Sequence, residues 1–394
     1  MAKGVQSFLG ERLIQAREIR GLTGVNLASI AGISSSSVSQ YEHGTASPTQ
    51  DVIERLAAAL NVKPAFFLLR HNQSDGARFY WRSLSSATKQ ARRRAQRKYE
   101  WLCECAEYFE GVFDFPVLNM PVFNVNQSAE AITGDDIESY AKECRTFWNL
   151  GDSPIQNVIH VIEKNGVLIG RFPLEAETLD GLSEWTASTR PAIIIASDKS
   201  SCARSRFDAS HELAHYLLHR NVSSRTSEIH ALMESQAHRF AGAFLLPRES
   251  YLKELRSPTL ESFLALKERW RVSIAMQIHR CFNLGVIDED SKKRLFISLS
   301  KRGWRRKEPG DDKMPAEYPR LFRQCVDAML EAGFKTRQQI ADDLERPAED
   351  IEEICGLPDG YLRDDFGEMV KLPSFKTPTM RVEGDTGEII PFRS

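Results

Sequence analysis

The feature that most constrains this chain is FDASHELAHYLLHR, residues 207–220. Within it His211, Glu212 and His215 form an H-E-x-x-H pattern set among Leu213, Ala214, Leu217 and Leu218. On a helix, residues four apart stack on one face about 5–6 Å apart, so both imidazoles can reach one metal ion. Glu212 is turned about 100° from His211 and reaches an attacking water instead of the metal. Its chemistry is that of a general base beside zinc. A helix this apolar is buried, and buried polar groups without partners are costly, so the motif demands a site around it.

The following segment, ALMESQAHRFAGAFLLP, reads as a helix stopped by Pro247. Glu234 is the best third ligand, because it shares a face with Ala237, His238 and Ala241, whose mostly small side chains allow close approach. His238 is expected as an outer partner of a ligand's second nitrogen or of the Glu234 carboxylate. His219, one turn beyond His215, is expected in the same supporting role, since a fourth protein ligand would close a catalytic zinc site. His230 is placed on the intervening loop, within reach of an oxyanion. The helix carrying the motif is expected to be capped by Asp208 or Ser210.

The first 70 residues read as short helices with tight breaks. Thr23 caps a helix through Ala31 that Gly32 breaks, Ser34 caps the next, and Thr49 opens a third. This is helix-turn-helix spacing. Ser35, Ser36, Ser37, Ser39 and Gln40 would face a major groove, where hydroxyls and amides bond base edges or phosphates. Charge over residues 1–70 is slight, seven basic against five acidic. DNA affinity is therefore expected to draw on a homodimer or on the run Arg82–Lys98, which carries seven cations and no acid.

Between these ends, residues 71–114 read as a basic helical linker. NVIHVIEK, GVLIGRF and PAIIIAS read as β-like runs, followed by helices over 258–270 and 273–285. Strands and helices segregate, which predicts an α+β domain over 115–300. Residues 301–394 read as a basic loop (Lys301–Lys307), helices over 318–355 and a tail. The whole is a multidomain chain: an all-α head, an α+β body and a small helical C-terminal region.

Composition excludes other classes. With 54 acidic and 52 basic residues, no global charge draws the chain to nucleic acid or membrane. No run nears the roughly 18 apolar residues of a membrane span. The N-terminus has no apolar signal region, and seven scattered cysteines without a C-x-x-C pair fit a reducing cytoplasm.

The segments RFDASHELAHYLLH, ESQAHRFAGAFLLP and ERWRVSIAMQIHRCFNLGVI resemble the ImmA/IrrE family of metallopeptidases over roughly 150–305. The resemblance implies Zn²⁺ held by His211, His215 and Glu234, Glu212 as base, and a compact thermolysin-like α+β fold. It also implies cleavage of a partner repressor or antitoxin, releasing stress, mobile-element or defence genes. Residues 8–69 resemble the Xre helix-turn-helix family (lambda-repressor and Cro-like), which implies operator DNA as a partner. A repressor or antitoxin whose zinc domain only senses or scaffolds is the alternative.

Overall fold

A computed structural model describes residues 4–69, 80–81, 88–125, 128–175, 181–184, 190–198, 201–222 and 226–363. Arg82 and the tail beyond 363 lie outside them. The head contains α1 (Gly10–Ile19), α2 (Gly24–Ala31), α3 (Ser35–Glu42) and α4 (Gln50–Leu60). Thr23 and Ser34 cap α2 and α3 by accepting from Asn26 N (3.1 Å) and Ser37 N (3.0 Å). Gly32 joins them with φ of 64°, a left-handed turn that costs glycine little. Arg55 locks that turn by donating to the carbonyls of Ala31 (3.2 Å) and Gly32 (3.0 Å).

After the two-residue strand β1 (Tyr80–Trp81) comes α5 (Lys89–Glu110), 22 residues long. Then follow α6 (Gly134–Phe147), α7 (Val158–Lys164), β2 (Leu168–Phe172), β3 (Gly181–Glu184) and β4 (Ala192–Ala196). The helices α8 (Cys202–His219), α9 (Ser227–Leu245), α10 (Arg248–Glu254), α11 (Leu260–Trp270), α12 (Ile274–Asn283) and α13 (Glu289–Lys301) complete the body. The last three are α14 (Leu321–Glu331), α15 (Arg337–Asp343) and α16 (Ala348–Cys355). The architecture is thus a helix-turn-helix head followed by a mixed, mostly helical α/β region.

The sheet order is β1-β3-β4-β2, with β2 parallel to β4 and β3 antiparallel to it. Successive strand residues point to opposite faces, and both faces are buried. Ile169, Ile193 and Ile195 join the core beneath α8 and α9. Leu168, Ile194 and Phe172 join a different core, shared with the head, α5 and the last three helices. A strand covered on both sides reads as an unbroken apolar run, which is why AIIIA was legible as β4.

Three local expectations are corrected. NVIHVIEK contains α7 and no strand: Asn157 caps it by accepting from His160 N (2.7 Å), and Val158, Ile159 and Ile162 form a buried helical stripe. Its β-branched residues suggested a strand, but the Glu317 carboxylate accepts from Val158 N (2.7 Å) and Ile159 N (3.3 Å) and fixes a helix start. Next, α8 begins earlier than expected. Ser201 caps it, accepting from Arg204 N at 3.2 Å, while Asp208 and Ser210 lie inside the helix. Ser210 satisfies its hydroxyl by donating back to Arg206 O (2.9 Å). Finally, His230 belongs to the first turn of α9, not to a loop.

Helix α5, within the segment read as a linker, packs into the core shared with the head and the last three helices. Trp101 of α5 meets Phe66 of the head edge-on (centroids 5.8 Å apart), and Phe109 stacks on Phe322 of α14 (5.4 Å). Four of its cations are paired internally. Arg97 pairs with Glu18 (2.8 Å) and Glu100 (2.7 Å), Arg93 with Glu18 (3.3 Å), and Arg94 with Glu175. Lys98 is buried, bonded to Pro173 O (3.0 Å) and Glu353. These four cations are therefore already committed to carboxylates within the chain.

Candidate metal centre

Helices α8 and α9 lie side by side, and the small side chains of Ala237 and Ala241 share the buried α9 face that carries Glu234. Across it, His215 Nε2 lies 3.1 Å from His211 Nε2 and 3.2 Å from Glu234 Oε1, and His211 Nε2 lies 3.3 Å from Glu234 Oε2. Both imidazoles are buried. Zinc bonds of about 2.0–2.1 Å to a tetrahedral donor set demand donors roughly 3.3 Å apart. These residues therefore fit that ion. His211, Glu234 and His238 form a looser donor set, with atoms within 4.8 Å of one another.

The hydrogen bonds behind His215 settle its tautomer. Gln236 Nε2 donates to Ala129 O (2.7 Å) and Ile132 O (3.1 Å), so its Oε1 faces His219 and can only accept. For neutral rings, His219 Nε2 must then donate to that oxygen (3.0 Å), leaving the His219 lone pair on Nδ1. His215 Nδ1 donates to it at 3.0 Å. The lone pair of His215 is left on Nε2, the atom that points at His211 and Glu234. Such outer partners fix ring orientation and raise ligand basicity. Gln236→Leu should therefore lower zinc affinity by about 10–100-fold. Metal-buffered titration reads it, and unchanged affinity would show that the relay is only packing.

Glu212 points elsewhere. Its Oε2 accepts from Ser183 Oγ (2.6 Å) on β3, and both side chains are buried. A Cβ added at Gly181, on the same strand, would lie 3.1 Å from Glu212 Oε1 and 2.9 Å from Ile194 O. Glycine is what lets strand and helix approach this closely. Sequence reasoning missed Ser183, Gly181 and Gln236. The four-residue strand carries no alternation to announce it, and a lone Gln on an apolar helix has no motif.

Of the other anticipated residues, His219 stands behind His215 as described. The Nδ1 of His238 bonds the main-chain oxygen of Glu234 (2.7 Å), and its ring faces His211 (centroids 4.6 Å apart). His230 Nε2 is 3.9 Å from Glu234 Oε1. On the head, Ser35, Ser36, Ser39 and Gln40 are exposed along α3, while Ser37 is half-buried. The hydroxyls of Ser36 and Ser37 each lie 2.8 Å from Ser34 Oγ, so the cap already occupies them. Among the described residues, no helix is long and apolar enough to cross a membrane.

Comparison with known proteins agrees with both ends of this layout. No curated protein matches the chain. Two family models do: residues 13–67 match the helix-turn-helix model and residues 162–282 the IrrE N-terminal-like domain of peptidase family M78. The chain thus joins a helix-turn-helix DNA-binding domain to a metallopeptidase-like domain.

Proposed function

We propose that this chain is a cytoplasmic regulator that binds operator DNA through α3 and cuts a regulatory protein at a zinc centre. The target is a helix-turn-helix repressor or antitoxin, whose loss switches on stress, mobile-element or defence genes. His211, His215 and Glu234 hold the ion. Zinc, when bound, supplies Lewis-acid polarisation of the scissile carbonyl and acidifies the attacking water. Glu212 takes the proton from that water, and Ser183 holds its carboxylate in place by donating to Oε2. The His219–Gln236 relay keeps His215 Nε2 unprotonated toward the ion.

The observation that carries this reading is the pairing of a donor set with a separate carboxylate. Three candidate ligands converge at 3.1–3.3 Å, while the Glu212 carboxylate on the same helix is bonded to Ser183 of β3. A purely structural zinc site closes its coordination with protein ligands and has no use for a base. The test incubates the zinc-loaded chain with each helix-turn-helix protein encoded beside its own gene. One should be cut, and a chelator should stop the cutting. No cleavage of any of them leaves the sensor or scaffold reading.

The DNA half has its own expected result. Binding should weaken steeply with salt, as phosphate contacts release counterions. Gln40→Ala should cost about 1–3 kcal/mol at the preferred operator by removing a base-edge contact. Point changes are the right probe here, because deleting residues 1–69 would expose Trp101 and its neighbours in the shared core. If Gln40→Ala and Ser39→Ala leave operator choice and affinity unchanged in electrophoretic titrations, α3 does not read bases.

A further inference from the structure

Beside the metal centre lies a cavity of about 610 Å³, its wall shared between α8, α9, α12 and the loop after α13. Phe207, Asp208 and His238 line it, so it opens from the same helices that carry the candidate ligands. Its size lies within the roughly 300–1,000 Å³ of ordinary ligand sites. Six basic residues line it against three acidic ones.

Two of the three acids already have partners in the wall. Glu308 and Asp311 are both bonded to buried Lys267, at 2.6 Å each. Glu308 also accepts from Ile274 N (2.7 Å) and Ala275 N (3.1 Å), capping α12. These acids are satisfied within the wall. Arg280 is likewise spent, on Glu138 at 2.5 and 2.8 Å. Arg305 and Arg306 are different. Both are exposed, and among the described residues neither makes an ion pair or a side-chain hydrogen bond. Lys292 adds a cation loosely held by Glu289 (3.4 Å). The basic loop after α13 therefore presents the guanidinium groups of Arg305 and Arg306 to a concave, partly apolar space beside the candidate metal centre.

We infer that this cavity recognises an acidic side chain of the protein that the metal centre cuts, with Arg305 and Arg306 as its specificity residues. The inference rests on the proposed hydrolysis and names its substrate class. Guanidinium groups bind carboxylates through paired, charge-assisted hydrogen bonds. A cleft walled by protein strengthens such attraction over open surface. The substrate is thus a polypeptide with Glu or Asp flanking the scissile bond.

Two measurements on the full zinc-loaded chain decide this. In a degenerate peptide library, Glu and Asp should be enriched beside the cut. Arg305→Glu with Arg306→Glu should turn that preference toward Lys while still cutting neutral peptides, which shows the variant is folded. In parallel, a fluorescent peptide bearing Glu and its Gln twin are titrated onto the Glu212→Gln chain. The Glu peptide should bind tighter, and the double charge reversal should lower its affinity by roughly tenfold with little effect on the Gln twin. Equal binding of the twins, or an acid preference that survives the charge reversal, overturns the inference. Selective binding of the Glu peptide without any cleavage would instead sink the hydrolysis reading and leave the acid site standing. Inorganic phosphate that binds Arg305 and Arg306 without any peptide preference would mark a free-anion site and overturn the peptide assignment.

Discussion

Glu212→Gln should slow cleavage of the target protein by about 10²–10⁴-fold, the usual cost of losing a general base. The amide keeps the size of the carboxylate and can still accept from Ser183 through its oxygen, so the local packing around β3 should hold. It cannot take the proton of the attacking water at neutral pH. Zinc should stay bound, since the ligating atoms of His211, His215 and Glu234 surround a different point. Operator binding should also be unchanged, because α3 makes no use of this residue. The cellular readout is a repressor or antitoxin that disappears under stress with the native chain and persists with the variant. If the variant derepressed its genes as fully as the native chain, the protease reading would be lost and the sensor or scaffold reading would stand.

The second large effect is on the metal itself. The native chain should hold about one zinc, and His211→Ala, His215→Ala or Glu234→Ala should each release it, because a catalytic site has only three protein ligands to share the load. Loss of the ion removes the water activation it supplies, so hydrolysis should vanish with it. His238→Ala separates the two donor sets described above. Zinc should be kept if the tight set of His211, His215 and Glu234 is the binding one. Elemental analysis under metal buffering settles the matter. Retention in all three alanine variants, or release only in His238→Ala, would move the site.

What was legible from the residues was what depends on spacing along one helix. The i, i+4 histidines, the small residues near Glu234 and the caps at Thr23 and Ser34 are properties of short windows, where period and cap chemistry act alone. What stayed hidden depends on partners distant in sequence. Ser183 supports Glu212 only because β3 pairs with β4 beside α8. Gln236 orients His219 only because the carbonyls of Ala129 and Ile132 lie across from it, more than a hundred residues away. The misreading of α7 has the same origin. Val158, Ile159 and Ile162 favour a strand locally, and the carboxylate of Glu317 overrides them. The basic run before Lys98 read as a solvent or DNA face because its acids, Glu18, Glu175 and Glu353, come from other elements.

The placement of α5 bears on how the two halves of the molecule can work together. One helix packs against the reading head through Trp101 and against the sheet behind the metal centre through Leu102. The head is further fastened to the far end of the chain by the Arg20–Asp350 and Lys63–Asp342 ion pairs. The molecule is built more like a hand tool than like two parts on a string. Under the proposed function, α3 on a duplex would carry the metal centre at a fixed bearing and distance from it. On that proposal, cleavage by the DNA-bound chain would be confined to proteins standing at that spot, such as a repressor on an adjoining operator. A nick engineered between residues 69 and 88 would sever the covalent path and still leave the handle attached.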